Sequence, residues 1–245
     1  MRFISKDTLK PFDWFIIIGS ILFYIIYWFV AEYKGVSFSY LGAVAGVCGL
    51  VCNVLCAKRN ILNYLFGVIN VTLYAYISWK NSIYGDVVLN AFYYLPMQFI
   101  GFYSWMRKRE SISGIKGDSE VVVVSKKMNL KQRVILMVSC VVLVIIVGYI
   151  LKYYTEDPQP FKDSATTVLS IIAMILMVMA YMEQWWLWIF INLLALVMWV
   201  LIYRRGGESS AEMVIMWLFY LANSINGYIV WKKAANKSNL RSEEL

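Results

Sequence analysis

The sequence predicts an all-α polytopic membrane protein with eight transmembrane helices, and three observations predict it. Of its 245 residues, 61% are hydrophobic and only 16% charged, against about 45–50% and about 25% in an ordinary soluble domain. Eight apolar stretches follow one another at 14–31, 39–57, 61–79, 87–106, 133–151, 164–182, 185–203 and 213–231, and Arg133, at a segment end, is the one Lys, Arg, Asp or Glu inside them. Each is close to the roughly 20 residues that cross a bilayer. Two sets of three stretches also share one pattern of polar and aromatic residues. A 28.4 kDa chain cannot hide this much apolar surface from water, so the solvent must be lipid.

The first stretch follows Arg2, Lys6 and Lys10 as a secretory h-region would. It is longer than such a region and no A-x-A site follows, so it is read as a retained helix. The connections 57–61 and 182–185 are very short, which makes stretches two and three, and six and seven, antiparallel hairpins. In stretch two, Gly42, Gly46 and Gly49 allow close packing on a neighbour. Stretch four carries Pro96, which leaves the carbonyl of Phe92 without its helical partner. Between stretches four and five lies a basic loop, Arg107 to Lys131, whose Ser, Gly and Lys content reads as a linker; its Val121–Val124 run is too short to span.

The net charge of +8 would suggest nucleic acid in a soluble protein, but here it follows from the loops. With eight spans both termini share a side, and that side carries 16 Lys and Arg outside the stretches, against 6 on the other. The positive-inside rule puts both termini, and the long basic loop, in the cytoplasm of a multi-pass protein. The four cysteines all fall in apolar runs, so no disulfide framework is expected. The chain has no histidine, which removes His metal sites, His bases and His proton relays. Without an intramembrane carboxylate either, no enzyme chemistry, metal site or cofactor is expected.

Asn63-x-x-Phe66-x-x-x-Asn70 returns 122 residues later as Trp185-x-x-Trp188-x-x-x-Asn192. After a four-residue insertion the offset becomes 126, and Asp86, Tyr94, Gly101 and Trp105 fall on Glu212, Tyr220, Gly227 and Trp231. Stretches two to four and six to eight therefore read as copies of one three-helix unit. Stretch five restores the orientation between them, which makes a 3+1+3 parallel repeat. The chain divides into an N-terminal tail and extra helix (1–38), a first unit (39–106), a basic cytoplasmic loop and linker helix (107–163), a second unit (164–231) and a cytoplasmic tail (232–245).

Polar groups in lipid are costly unless paired or facing a wet cavity. Trp185, Trp188 and Asn192 share a helical stripe, as do Asn63, Phe66 and Asn70. Asn90, Tyr94 and Gln98 form another on stretch four; Tyr220, Asn223, Ser224 and Asn226 make a patch on stretch eight. The ordinary alternatives are interfacial belts for the aromatics and interhelical hydrogen bonds for the amides. A cavity lined by Trp185, Trp188, Asn192, Gln98, Tyr94, Asn70, Asn223 and Asn226 would offer neutral amides, hydroxyls and aromatic faces. That suits a hydroxylated ligand with a flat ring; an anionic ligand would want Arg or Lys. Glu183, beside the tryptophan motif, reads as a solvated turn residue, and Asp86 and Glu212 as charges at helix starts.

Trp185-x-x-Trp188-x-x-x-Asn192, the 3+1+3 plan and the basic central loop resemble the bacterial PnuC vitamin transporters, over about residues 39–231. The resemblance implies a SWEET-like architecture in the bacterial inner membrane and uptake of nicotinamide riboside. Thiamine or riboflavin, taken by related members, is the alternative. It further implies uncoupled facilitated diffusion, with trapping by a cytoplasmic riboside kinase as metabolic partner. The motif carries a binding role to Trp185, Trp188 and Asn192. Oligomeric state is left open, a homo-oligomer included. A channel reading would need a continuous wet pore, against which the deep tryptophans argue.

Overall fold

In the computed structural model, which describes residues 9–35, 37–113, 119–154 and 160–243, every apolar stretch is helical. The elements are α1 (Pro11–Lys34), α2 (Tyr40–Ala57), α3 (Asn63–Lys80), α4 (Tyr84–Val88), α5 (Leu95–Lys108), α6 (Leu130–Tyr154), α7 (Pro160–Val178), α8 (Gln184–Arg204) and α9 (Ser210–Glu243). Six of them, α1, α2, α6, α7, α8 and residues 210–236 of α9, are long and apolar enough to cross a membrane. The outward faces of α1 and α6 expose Phe15, Ile26, Ile135 and Val138, as side chains meeting lipid would. α3 is the more polar helix, carrying Asn63, Asn70, Thr72 and Ser78. Arg2, Lys6 and Lys116, counted above among the basic residues, lie outside the described residues.

Local chemistry sets the ends. Pro11 opens α1, the Asp13 carboxylate accepts from the Lys10 N–H at 2.6 Å, and Gly35 closes the helix at φ 64°. Ser39 caps α2 by accepting from the Gly42 N–H at 3.0 Å. α4 and α5 are joined by a π-helical segment, Leu89–Tyr94, in which the Leu95 N–H reaches the Asn90 carbonyl. Its position just before Pro96 has a physical cause: the proline has no N–H for the Phe92 carbonyl and crowds the preceding turn, so the widened turn absorbs the mismatch.

α2 packs on α3 and α9, α9 on α8, and α6 on α7, while α1 lies along α2 and α9. Close approach needs small residues. A Cβ on Gly46 would stand 1.9 Å from the Tyr24 hydroxyl of α1, and one on Gly49 1.8 Å from the Tyr220 hydroxyl of α9.

The same turn bonds occur twice. The Arg59, Asn60 and Tyr64 N–H groups bond to Cys56, Leu55 and Ile61; 121 residues on, those of Ala180, Tyr181 and Trp185 bond to Met177, Leu176 and Met182. Arg59 and Ala180 both take positive φ, 59° and 64°. The sequence offset of 122 is therefore one residue too large at this turn. Matching amide motifs is a weaker constraint on register than matching backbone bonds. The 126 offset agrees with the packing further along: the Trp105 indole donates to the Met177 carbonyl at 3.0 Å, and that of Trp231 to Cys56 at 3.1 Å.

The segment read as a linker is more ordered than its composition suggested. β1 (Arg109–Ser113) and β2 (Ser119–Val123) form an antiparallel hairpin with Arg109 opposite Val123. After it the chain runs across one end of the bundle. Val123 N–H donates to Arg59 O at 3.2 Å, Lys126 N–H to Ala180 O at 2.8 Å, Met182 N–H to Lys126 O at 2.9 Å, and Ser125 Oγ to Trp231 O at 3.3 Å. The Lys, Ser and Gly of this segment give no apolar periodicity; backbone groups offered by the two hairpin turns order the strap. The last helix is longer than its apolar stretch: α9 continues to Glu243, well past residue 231.

Candidate substrate cavity

A cavity of about 480 Å³ lies within the bundle, in the size range of small-molecule sites. It runs from the exposed turn at Ser82, Tyr84 and Gly85 inward to Cys56, Met177 and Trp185. Its inner end is sealed by packed aromatics. Tyr64 and Trp105 meet edge-on at 5.1 Å between centroids, and Trp185 and Trp231 at 6.2 Å. The strap lies over that end.

Six of the eight predicted site residues line this cavity: Trp185, Trp188, Asn192, Gln98, Tyr94 and Asn70. Trp188 is partly buried and faces Tyr94 at 6.2 Å between centroids, tilted by 40°. Asn192 donates to Ser224 Oγ at 2.6 Å, and Ser224 donates to Tyr220 O at 2.8 Å. The Asn70 amide donates to Ala45 O at 2.9 Å. Trp185 is only 1% exposed, with an indole N–H that has no partner among the described residues; Gln98 Oε1 is buried and likewise unpartnered. Leaving such atoms unpaired costs roughly 1–3 kcal/mol each, so both are suited to meet a ligand group.

Two predicted residues do not line it. Asn223 is fully buried and donates to Asn53 Oδ1 at 2.8 Å, so it stands behind Asn53, which does line the cavity. Asn226 donates to Asp13 Oδ1 at 3.2 Å, and Lys58 Nζ stands 2.6 Å from the other oxygen of Asp13. On helical spacing Asn226 shared a face with Asn223; the packing of α1 on α9 turns it to a buried ion pair instead. Glu183 is not a solvated turn residue. It is 0% exposed, and its Oε1 accepts from Arg133 Nε and Nη2 at 3.0 and 2.9 Å and from the Met128 N–H at 3.1 Å.

The residues that sequence reasoning missed are Asn53 and Asp86. Asn53 could have been found as the one amide in stretch two. Asp86, one residue before stretch four, lies in the first turn of α4 as a helix-start charge should, and it also lines the outer part of the cavity. Among the lining residues the charged ones are Asp86, Lys162 and Asp163, all toward the outer end, and the last two stand 3.9 Å apart. The deep lining carries no charge. Among the described residues no group of acidic or thiol side chains is arranged to hold a metal ion, and Cys48, Cys52, Cys56 and Cys140 are free thiols.

A family model described as nicotinamide mononucleotide transporter matches residues 39–233, most of the chain. The chain belongs to the PnuC transporter family. Relatives named nicotinamide riboside transporter PnuC include one from Neisseria mucosa, 37% identical over 81% of this chain and 74% of its own length. One from Haemophilus influenzae is 31% identical over 82% and 83%, and one from Escherichia coli 27% identical over 85% and 91%. A crystal structure of the vitamin B3 transporter PnuC superposes with a TM-score of 0.78, at 33% identity, covering 94% of both chains. PnuC family members are membrane transporters and not enzymes, and the apolar helices of this chain fit that setting.

Proposed function

We propose that this chain takes up nicotinamide riboside across the bacterial inner membrane by uncoupled facilitated diffusion. The observation that carries this reading is the cavity of about 480 Å³ whose deep lining is aromatic and amide without charge. The names of the relatives support the riboside. The family description speaks of the mononucleotide, but a phosphate wants bidentate Arg or clustered cations, and Lys162, the one basic lining residue, stands beside Asp163. Calorimetry on the purified protein is expected to give tight riboside binding and far weaker mononucleotide binding; equal affinities would overturn the reading.

In this reading eight helices span the membrane, with α4 and α5 as one. α2 to α5 and α7 to α9 form two parallel three-helix units joined by α6, and the recurring turn bonds support the repeat. Both termini are cytoplasmic by the positive-inside rule, so the cavity opens outward and the strap covers the cytoplasmic end. Trp188 and Tyr94 stack on the pyridine ring, while Asn192, Asn70, Gln98 and the Trp185 indole meet polar groups. Trp188→Ala is expected to weaken binding roughly tenfold by removing about 1–2 kcal/mol of stacking. Asn192→Leu should weaken binding with the fold kept. Wild-type affinity in both would move the site elsewhere.

Asp and Glu inside the membrane commonly serve as proton relays. Glu183 is fastened to Arg133 and is not among the cavity-lining residues, and the lining carboxylates Asp86 and Asp163 stand at the outer end rather than at depth, which supports uncoupled transport. Accumulation then comes from a cytoplasmic kinase that turns the riboside into an impermeant anion. In kinase-free liposomes uptake should run down the substrate gradient and stop at equal concentrations, with or without a proton or sodium gradient. Accumulation driven by either ion would refute uniport.

A further inference from the structure

Asp86 is held in the cavity wall by a directed chain of hydrogen bonds. The Trp199 indole N–H donates to the Tyr74 hydroxyl at 2.7 Å, and the Tyr74 hydroxyl stands 3.1 Å from Asp86 Oδ2. An indole nitrogen can only donate, so Tyr74 accepts from Trp199 and turns its own hydrogen to Asp86. Asp86 is thereby the acceptor, and the donated hydrogen favours its ionised carboxylate. Tyr74 and Trp199 are buried, which holds the relay rigid. The wall beside it is aromatic: Tyr74 stands edge-on to Trp199 and to Trp217, each at 5.9 Å, and Trp217 to Tyr220 at 5.3 Å. Trp217 and Tyr220 line the same cavity as Asp86. Of the other charged lining groups, Lys162 and Asp163 oppose each other in sign, so the net charge of the lining is the single negative charge of Asp86.

We propose that Asp86, oriented by Tyr74 and Trp199, forms an outer subsite that selects ligands with a cationic aromatic ring and turns away anions. A carboxylate beside aromatic faces is the arrangement that favours a delocalised cation, through charge attraction and cation–π contact together. The oxidised pyridinium ring of nicotinamide riboside is such a cation; its reduced dihydropyridine form has the same sugar and carboxamide and no ring charge. The subsite deepens the riboside reading and rests on it. It also gives the protein a way to reject the mononucleotide before the neutral inner lining is reached.

The test compares those two ribosides on wild type and Asp86→Asn by calorimetry and by liposome uptake. Asn keeps an acceptor for the Tyr74 hydroxyl and removes only the charge. Wild type is expected to prefer the cationic riboside. Asp86→Asn should weaken it about tenfold and leave the neutral riboside unchanged, which also shows that the variant folds. Asp86→Glu should restore part of the preference. Equal losses for both ribosides, or no loss for either, would overturn the proposal. If wild type binds neither riboside, the substrate reading fails, and the same comparison on thiamine, a thiazolium cation, against neutral riboflavin decides the subsite alone. A selective loss for thiamine supports it; parallel behaviour of the two vitamins, or no binding of either, overturns it.

Discussion

Trp185→Ala is expected to destabilise the fold by about 3 kcal/mol, in the lower part of the range for deleting a buried Trp. Trp185 is 1% exposed and packs on Trp231, and a Cβ added to Gly227 would stand 2.5 Å from its ring. The glycine leaves a slot that the indole fills, so truncation removes that packing and enlarges the cavity at its sealed inner end. Thermal unfolding of the purified protein in detergent should show a clear drop in Tm. Trp188→Ala, at a partly buried position facing Tyr94, should leave Tm nearly unchanged while weakening binding. The two tryptophans of one motif are thereby separated: one chiefly holds the inner closure, the other chiefly meets ligand. Equal thermal stability of both variants would contradict that division.

Arg133→Met is expected to cost about 3 kcal/mol, because it strands a buried carboxylate. Glu183 is 0% exposed and Arg133 26%, and Glu183 Oε2 is buried without a partner among the described residues. Without the guanidinium, the charge of Glu183 has only the Met128 N–H left. The double variant Arg133→Met with Glu183→Gln should recover most of the loss, since Gln still accepts from Met128 and carries no charge. Wild-type Tm in the single variant would mean that Glu183 is solvated after all. The pair ties α6 to the turn before α8.

Hydropathy by itself placed helical structure on each of the eight apolar stretches, because a segment in lipid must satisfy its own backbone bonds and these stretches are long enough to do so. Short connections established the hairpins, and the Trp185, Trp188 and Asn192 stripe was legible because helical spacing puts those residues on one face whatever lies opposite. Helical faces alone could not say which partner each polar side chain meets. Asn223 and Asn226 share a patch in sequence, yet the packing of α1 and α2 on α9 sends one to Asn53 and the other to Asp13. Asp86 is a helix-start charge, in the first turn of α4, as its position implies; only the packing of Tyr74 and Trp199, from two other helices, holds it in the cavity wall. Glu183 looked solvated until α6 delivered Arg133. The one-residue shift of the first repeat offset follows from the local backbone bonds of the two hairpin turns, and the strap across the inner end from backbone bonds between segments far apart in sequence; a periodicity of 3.6 residues carries no information about either. The sequence alone determined which segments are apolar helices and which of their faces are polar; only the tertiary structure decided which of those polar groups are sealed away in pairs and which line the cavity.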